Sequence, residues 1–184
     1  MFGPYLATLD ALNRTDDKQT PSRLLDLYLN MQRRAERGQF DDAVARAYRM
    51  LEWTAQWLLQ RDAKIETKAV PADRIPDGVS LPQNEKGHYF AGLRNAWTLL
   101  ETLGNSDDVR TFARNRGKEA LVLLTIRNDS ILAHGFQPIT RAEWQKWDDW
   151  LSVSYYPLLQ KEIKRSKARS NASQLPRNVP DNLV

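Results

Sequence analysis

The sequence contains no cysteine. Disulfides, thiol nucleophiles and thiolate metal sites are therefore excluded, and a reducing compartment, the cytoplasm, is the expected location. Histidine is nearly as scarce, with only His88 and His134 in 184 residues. Two are too few for a typical histidine-built metal centre, which leaves carboxylates as the remaining candidates for a hard cation such as Mg²⁺. No apolar run reaches the length of a membrane span. The opening "MFGPYLATLD" lacks a basic region with an apolar run behind it, as a signal peptide would have. There is no glycine-rich phosphate loop, no strand pairing pattern and no alternation of strands with helices. No cofactor or metal is expected from these residues. The formal net charge of +4 permits an anionic partner without requiring one.

What the chain does contain is helical periodicity. "TPSRLLDLYLNMQRRAERG" opens with a capping residue, Thr20, and a proline suited to the first turn, Pro21, and it closes on Gly38. Leu24, Leu27, Tyr28 and Met31 recur on one face. A second helix follows at once in "DDAVARAYRMLEWTAQWLLQ". Asp41 and Asp42 stand at its start, where negative charge is favoured, and Ala43, Ala47, Leu51, Thr54 and Leu58 form its apolar face. So short a joint predicts an antiparallel hairpin. Residues 61–87 hold three prolines and two glycines with little periodicity, which predicts a long surface loop. Helices are then expected over "HYFAGLRNAWTLLETLG", over "VRTFARNRG" after the capping signal "NSDD", and from Lys118 to the end of "EALVLLTIRNDSILAHG". Thr140 and Glu143 form the pattern of a capping box and open a last long helix to about Arg165, with Pro157 expected to kink it. The predicted fold is all-α, a compact bundle of five or six helices. Residues 1–19 form an N-terminal segment, 20–166 the helical domain, and 167–184 a polar tail.

Several features have ordinary explanations. "AERGQFDDAVARAYRMLE" resembles one tetratricopeptide unit, but no second copy follows at a fixed period. The tryptophans lie on helical stripes with Leu and Ala, as core residues do. "KEIKRSKAR" suits a solvated helix C-terminus. Asp41–Asp42 and Asp148–Asp149 are adjacent in helices, so each pair diverges by about 100° and makes no ready acid/base couple. The region around Lys161 and Glu162 carries no readable signal.

The exception is "RNDSILAHGF", residues 127–136. Arg127 and His134 are seven apart, nearly two turns, so on one helix they project from the same side about 10 Å apart along the axis. Ser130 lies between them, Asn128 is placed to bond the arginine or a substrate, and Gly135 with Pro138 ends the helix. Arginine clamps phosphate oxygens with a planar, permanently charged fork, and histidine moves protons near neutral pH. Two readings fit this spacing. In one, the histidine caps the last turn and the arginine pairs with an acid. In the other, the two groups flank a phosphate and cleave RNA without metal.

The stretch "RNDSILAHG" resembles the signature of HEPN ribonucleases, an arginine and a polar residue followed by a histidine after four to six intervening positions. Together with "LLDLYLNMQRRAERGQFDDAVARAYRMLEWTAQ", it is similar to the C-terminal HEPN region of CRISPR-associated type III ancillary ribonucleases, over most of residues 20–165. The resemblance implies that Arg127 and His134 are catalytic, with Asn128 supporting and Ser130 nearby. It also implies a single-stranded RNA substrate and a homodimer whose two motifs face each other across the two-fold axis. Those relatives carry an N-terminal CARF sensor of cyclic oligoadenylate. The segment before the first helix is far too short for one, so the sequence is read as an excised effector domain, a split gene product or a free-standing relative. Two other readings are a non-catalytic helical dimerisation or binding module, and a HEPN toxin of a toxin–antitoxin pair.

Overall fold

The computed structural model describes residues 21–115, 117–128 and 137–166, with the backbone alone for 117–122. The N-terminal segment 1–19, the tail 167–184, and Ser130 and His134 of the motif lie outside the described residues. Helix α1 spans Pro21–Glu36 and α2 spans Phe40–Ala63. The joint between them is a Schellman turn. Gly38, at φ +73°, donates to the Ala35 carbonyl at 2.9 Å, and Gln39 donates to that of Arg34, also at 2.9 Å. Only glycine takes this left-handed conformation without steric cost, which is why the first helix stops there. The hairpin is pinned by Arg46, whose Nε donates to Asn30 Oδ1 at 2.9 Å.

α2 is the central element, packed against α1, α3 (Leu93–Leu103), α5 (Gly117–Asn128) and α6 (Arg141–Trp150). Its expected face of Ala43, Ala47, Leu51, Thr54 and Leu58 is buried throughout. α4 spans Asp107–Asn115 and is capped by Ser106, whose Oγ accepts from Val109 N at 3.2 Å. The Thr140–Glu143 capping box is present in both directions: Glu143 N donates to Thr140 Oγ1, and Thr140 N donates to the Glu143 carboxylate. These bonds from Thr140 hold the Glu143 carboxyl below its ordinary range. Trp97, Trp144 and Trp147 belong to the core, and Tyr155 is fully buried with its hydroxyl 2.6 Å from Thr54 Oγ1. The fold is all-α, and isolated bridges join Tyr89 to Val70 and to Gln83.

Two local expectations differ from the structure, and a third takes a specific form. α2 continues to Ala63, so the irregular stretch begins at Lys64 and runs to Gly92, where the sequence suggested 61–87. The helix expected from His88 begins at Leu93. The intervening residues are drawn off by backbone bonds to the loop: Val70 N donates to Tyr89 O at 2.9 Å, Phe90 N to Pro82 O at 3.0 Å and Ala91 N to Thr67 O at 2.8 Å. Buried Ile65, Thr67, Val70, Leu81 and Ala91 tack this stretch to the core, while His88 sits exposed in a turn, its N–H donating to Asn84 Oδ1. Finally, Pro157 is accommodated by a π turn over Leu151–Tyr155, between α6 and α7 (Tyr156–Arg165). Residues on both sides keep right-handed helical angles. One widened turn before the proline relieves the ring's crowding of the preceding turn.

Candidate functional site on helix α5

α5 carries Arg127 and Asn128 at the end of its described residues. The helix is oriented by its apolar side, with Leu123 buried and Ile126 partly buried against the core. The Arg127 guanidinium lies over the ring of Tyr48 on α2, 4.4 Å from its centroid, and its Nη1 donates to Asn128 Oδ1 at 3.1 Å. The arginine is half-buried and Asn128 exposed. The fork is thus held from below by an aromatic face and from the side by an amide, with part of its surface open to solvent.

The chain is held again beyond the motif. Ile139 is buried, and its N–H donates to both carboxylate oxygens of Asp41, each at 3.2 Å. Thr140, the next residue, caps α6. Asp41 is a charge favourable to the α2 N-terminus, and in the structure it also fixes the backbone just before α6. Nothing in the sequence marks Tyr48. It stands beside the apolar stripe of α2, and its role shows only once α5 is known to cross there.

Of the four sequence-based site residues, the structure therefore brings Arg127 and Asn128 together, and Ser130 and His134 lie outside the described residues. Among the described residues no three histidine or acidic side chains cluster as a metal site would require, and no helix is long and apolar enough to cross a membrane.

A cleft of about 850 Å³ lies elsewhere, lined by Trp57, Arg61, Ser106, Arg110, Glu162 and Arg165 among others. Its charged groups are committed to one another: Arg61 to Asp62 and Glu162, Arg110 to Asp107, and Arg165 to Glu162 and Asp108. It ties α2, α4 and α7 together and presents no spare proton-transfer pair.

A family model described as the Csm6 HEPN domain matches residues 12–155, which include Asp41, Tyr48, Arg127 and His134. No curated protein and no solved structure matches the chain.

Proposed function

We propose a function from one premise: the chain belongs to the Csm6 HEPN domain family, HEPN domains of CRISPR-associated ribonucleases. It is a metal-independent endoribonuclease that cleaves single-stranded RNA, acting in the cytoplasm in type III CRISPR antiviral defence. The observation that carries this reading is the arginine fork held on α5 by Tyr48 and Asn128, at the head of a motif whose second member is His134. Arg127 clamps the non-bridging oxygens of the scissile phosphate and stabilises the charge that grows on them. His134 is the proton-transfer group. The ribose 2′-oxygen loses its proton and attacks the adjacent phosphorus, the P–O5′ bond breaks, and the 5′-oxygen takes up a proton. The products are a 2′,3′-cyclic phosphate and a 5′-hydroxyl. The net positive charge favours an anionic substrate. Two chains form a homodimer in which facing motifs build one composite site, as a symmetric interface brings each patch against its own copy.

Cleavage of single-stranded RNA is expected to persist in excess EDTA, and to be absent from a His134→Ala chain prepared in parallel. Loss of native cleavage on chelation, restored by Mg²⁺ or Mn²⁺, would overturn the arginine–histidine mechanism.

A further inference from the structure

Asp41 and Tyr48 stand seven residues apart on α2. At 100° per residue they fall within about 20° of each other on one face, separated by about 10 Å along the axis. Each holds a point flanking the motif. On the entry side Tyr48 lies beneath the Arg127 guanidinium, 4.4 Å away. On the exit side Asp41 accepts from the Ile139 amide through both oxygens. Both side chains are half-buried, and neither belongs to the apolar face of α2. Other anchors lie on the motif's own side, among them the buried Leu123 and Ile139 side chains and the Thr140–Glu143 box.

We infer that Asp41 and Tyr48 are positioning residues for RNA cleavage: one face of α2 fixes the arginine fork and the Ile139 backbone at a set spacing. The inference rests on the ribonuclease reading above. Arginine is a long, rotamer-rich side chain, and a fork that must clamp phosphate gains from being ordered before substrate arrives. An aromatic face restrains the guanidinium plane without occupying all its donors. The carboxylate does the same for a backbone amide through a charge-assisted bond. Neither group needs to touch RNA. Their effect falls on the rate of the chemical step, where a misplacement of about 1 Å can cost about a hundredfold.

The test compares Tyr48→Leu, Tyr48→Phe, Asp41→Ala and Asp41→Asn with the native full chain, at a temperature where circular dichroism shows each folded. Tyr48→Leu is expected to lower kcat by roughly 10- to 100-fold with KM moved far less, as loss of a transition-state contact does. Tyr48→Phe keeps the ring face and should stay within about twofold of native. Asp41→Ala should fall by about tenfold, and Asp41→Asn, which retains an acceptor, should recover most of that loss. In an Arg127→Ala background, Tyr48→Leu should add nothing further, because the ring acts through the arginine. Native cleavage that Tyr48→Leu leaves within about twofold, or equal losses in Tyr48→Leu and Tyr48→Phe, would overturn the inference and leave the ribonuclease reading standing. A native chain that cleaves no RNA overturns the ribonuclease reading and takes the inference with it.

Discussion

Arg127→Ala and His134→Ala are each expected to lower RNA cleavage by at least about a hundredfold. Removing one preorganised donor to a developing oxyanion typically costs about 10²–10³ in rate, and a positioned proton-transfer group contributes about 10²–10⁴. Arg127→Lys should recover little, since an ammonium keeps the charge but has no planar fork to span two phosphate oxygens or lie flat on Tyr48. The structural cost of Arg127→Ala should be small by comparison. The side chain is half-buried, and its contact with Tyr48 is of a kind worth about 0.5–1 kcal/mol near a surface. Parallel thermal unfolding and cleavage assays check this. A chain that melts at nearly the native temperature and no longer cuts RNA supports a catalytic arginine, whereas unfolding more than about 10 °C lower would make Arg127 a structural residue.

The largest effect on stability is expected at Glu162, far from the motif. Its side chain is 1% exposed, and its carboxylate accepts from Arg61 Nη2 at 2.6 Å, from Ser106 Oγ at 2.8 Å and from the Arg165 guanidinium. Asp62, also 1% exposed at its side chain, completes the cluster by bonding Arg61 and accepting from the Asn105 amide at 3.1 Å. The network joins the end of α2, the start of α4 and α7. Breaking a buried pair by removing one member typically costs about 3–5 kcal/mol, because the other charge is left without its partner. Arg61 keeps Asp62 and some solvent, so Glu162→Ala should lie near the lower end, about 3 kcal/mol. For a domain of this size that lowers Tm by roughly 6–12 °C. Glu162→Gln retains the shape and an acceptor and should lose less. The outer pair of Asp108 with Arg165 is exposed, and bonds from Lys161 and then Arg165 hold the Asp108 carboxyl below its usual range; exposed pairs of this kind contribute little in water. A Glu162→Ala chain that melts like the native one would show that α7 is held by its apolar stripe alone.

Features decided within a few neighbouring residues were legible in the sequence. The faces of α1 and α2 follow from residues three and four apart, and Leu24, Tyr28 and Met31 are buried as their spacing implies. Gly38 and the Thr140–Glu143 box involve only a turn of chain, so their chemistry is written locally. Glu162 was not legible, because what buries it is Arg61 and Ser106, 101 and 56 residues away. The same holds for Tyr48, whose partner Arg127 meets it only after α5 packs on α2. The start of α3 is not legible either, because His88 and Tyr89, acceptable at a helix start by local rules, are held instead by a loop whose partners come from Val70 to Asn84. The motif was visible as residue types at a suggestive spacing, with two open interpretations. Membership of the HEPN family favours the catalytic one.

The most direct test is the chemistry of the cut ends. A single-stranded RNA, digested in EDTA by the native chain, is separated and its termini identified by mass and by phosphatase and kinase sensitivity, beside the same RNA bearing a 2′-deoxyribose at the cleaved position. Attack by the 2′-oxygen is expected to leave a 2′,3′-cyclic phosphate and a 5′-hydroxyl, and the deoxy-substituted linkage is expected to remain intact. Products ending in a 3′-hydroxyl and a 5′-phosphate, or cleavage that proceeds at the deoxy linkage, would contradict it.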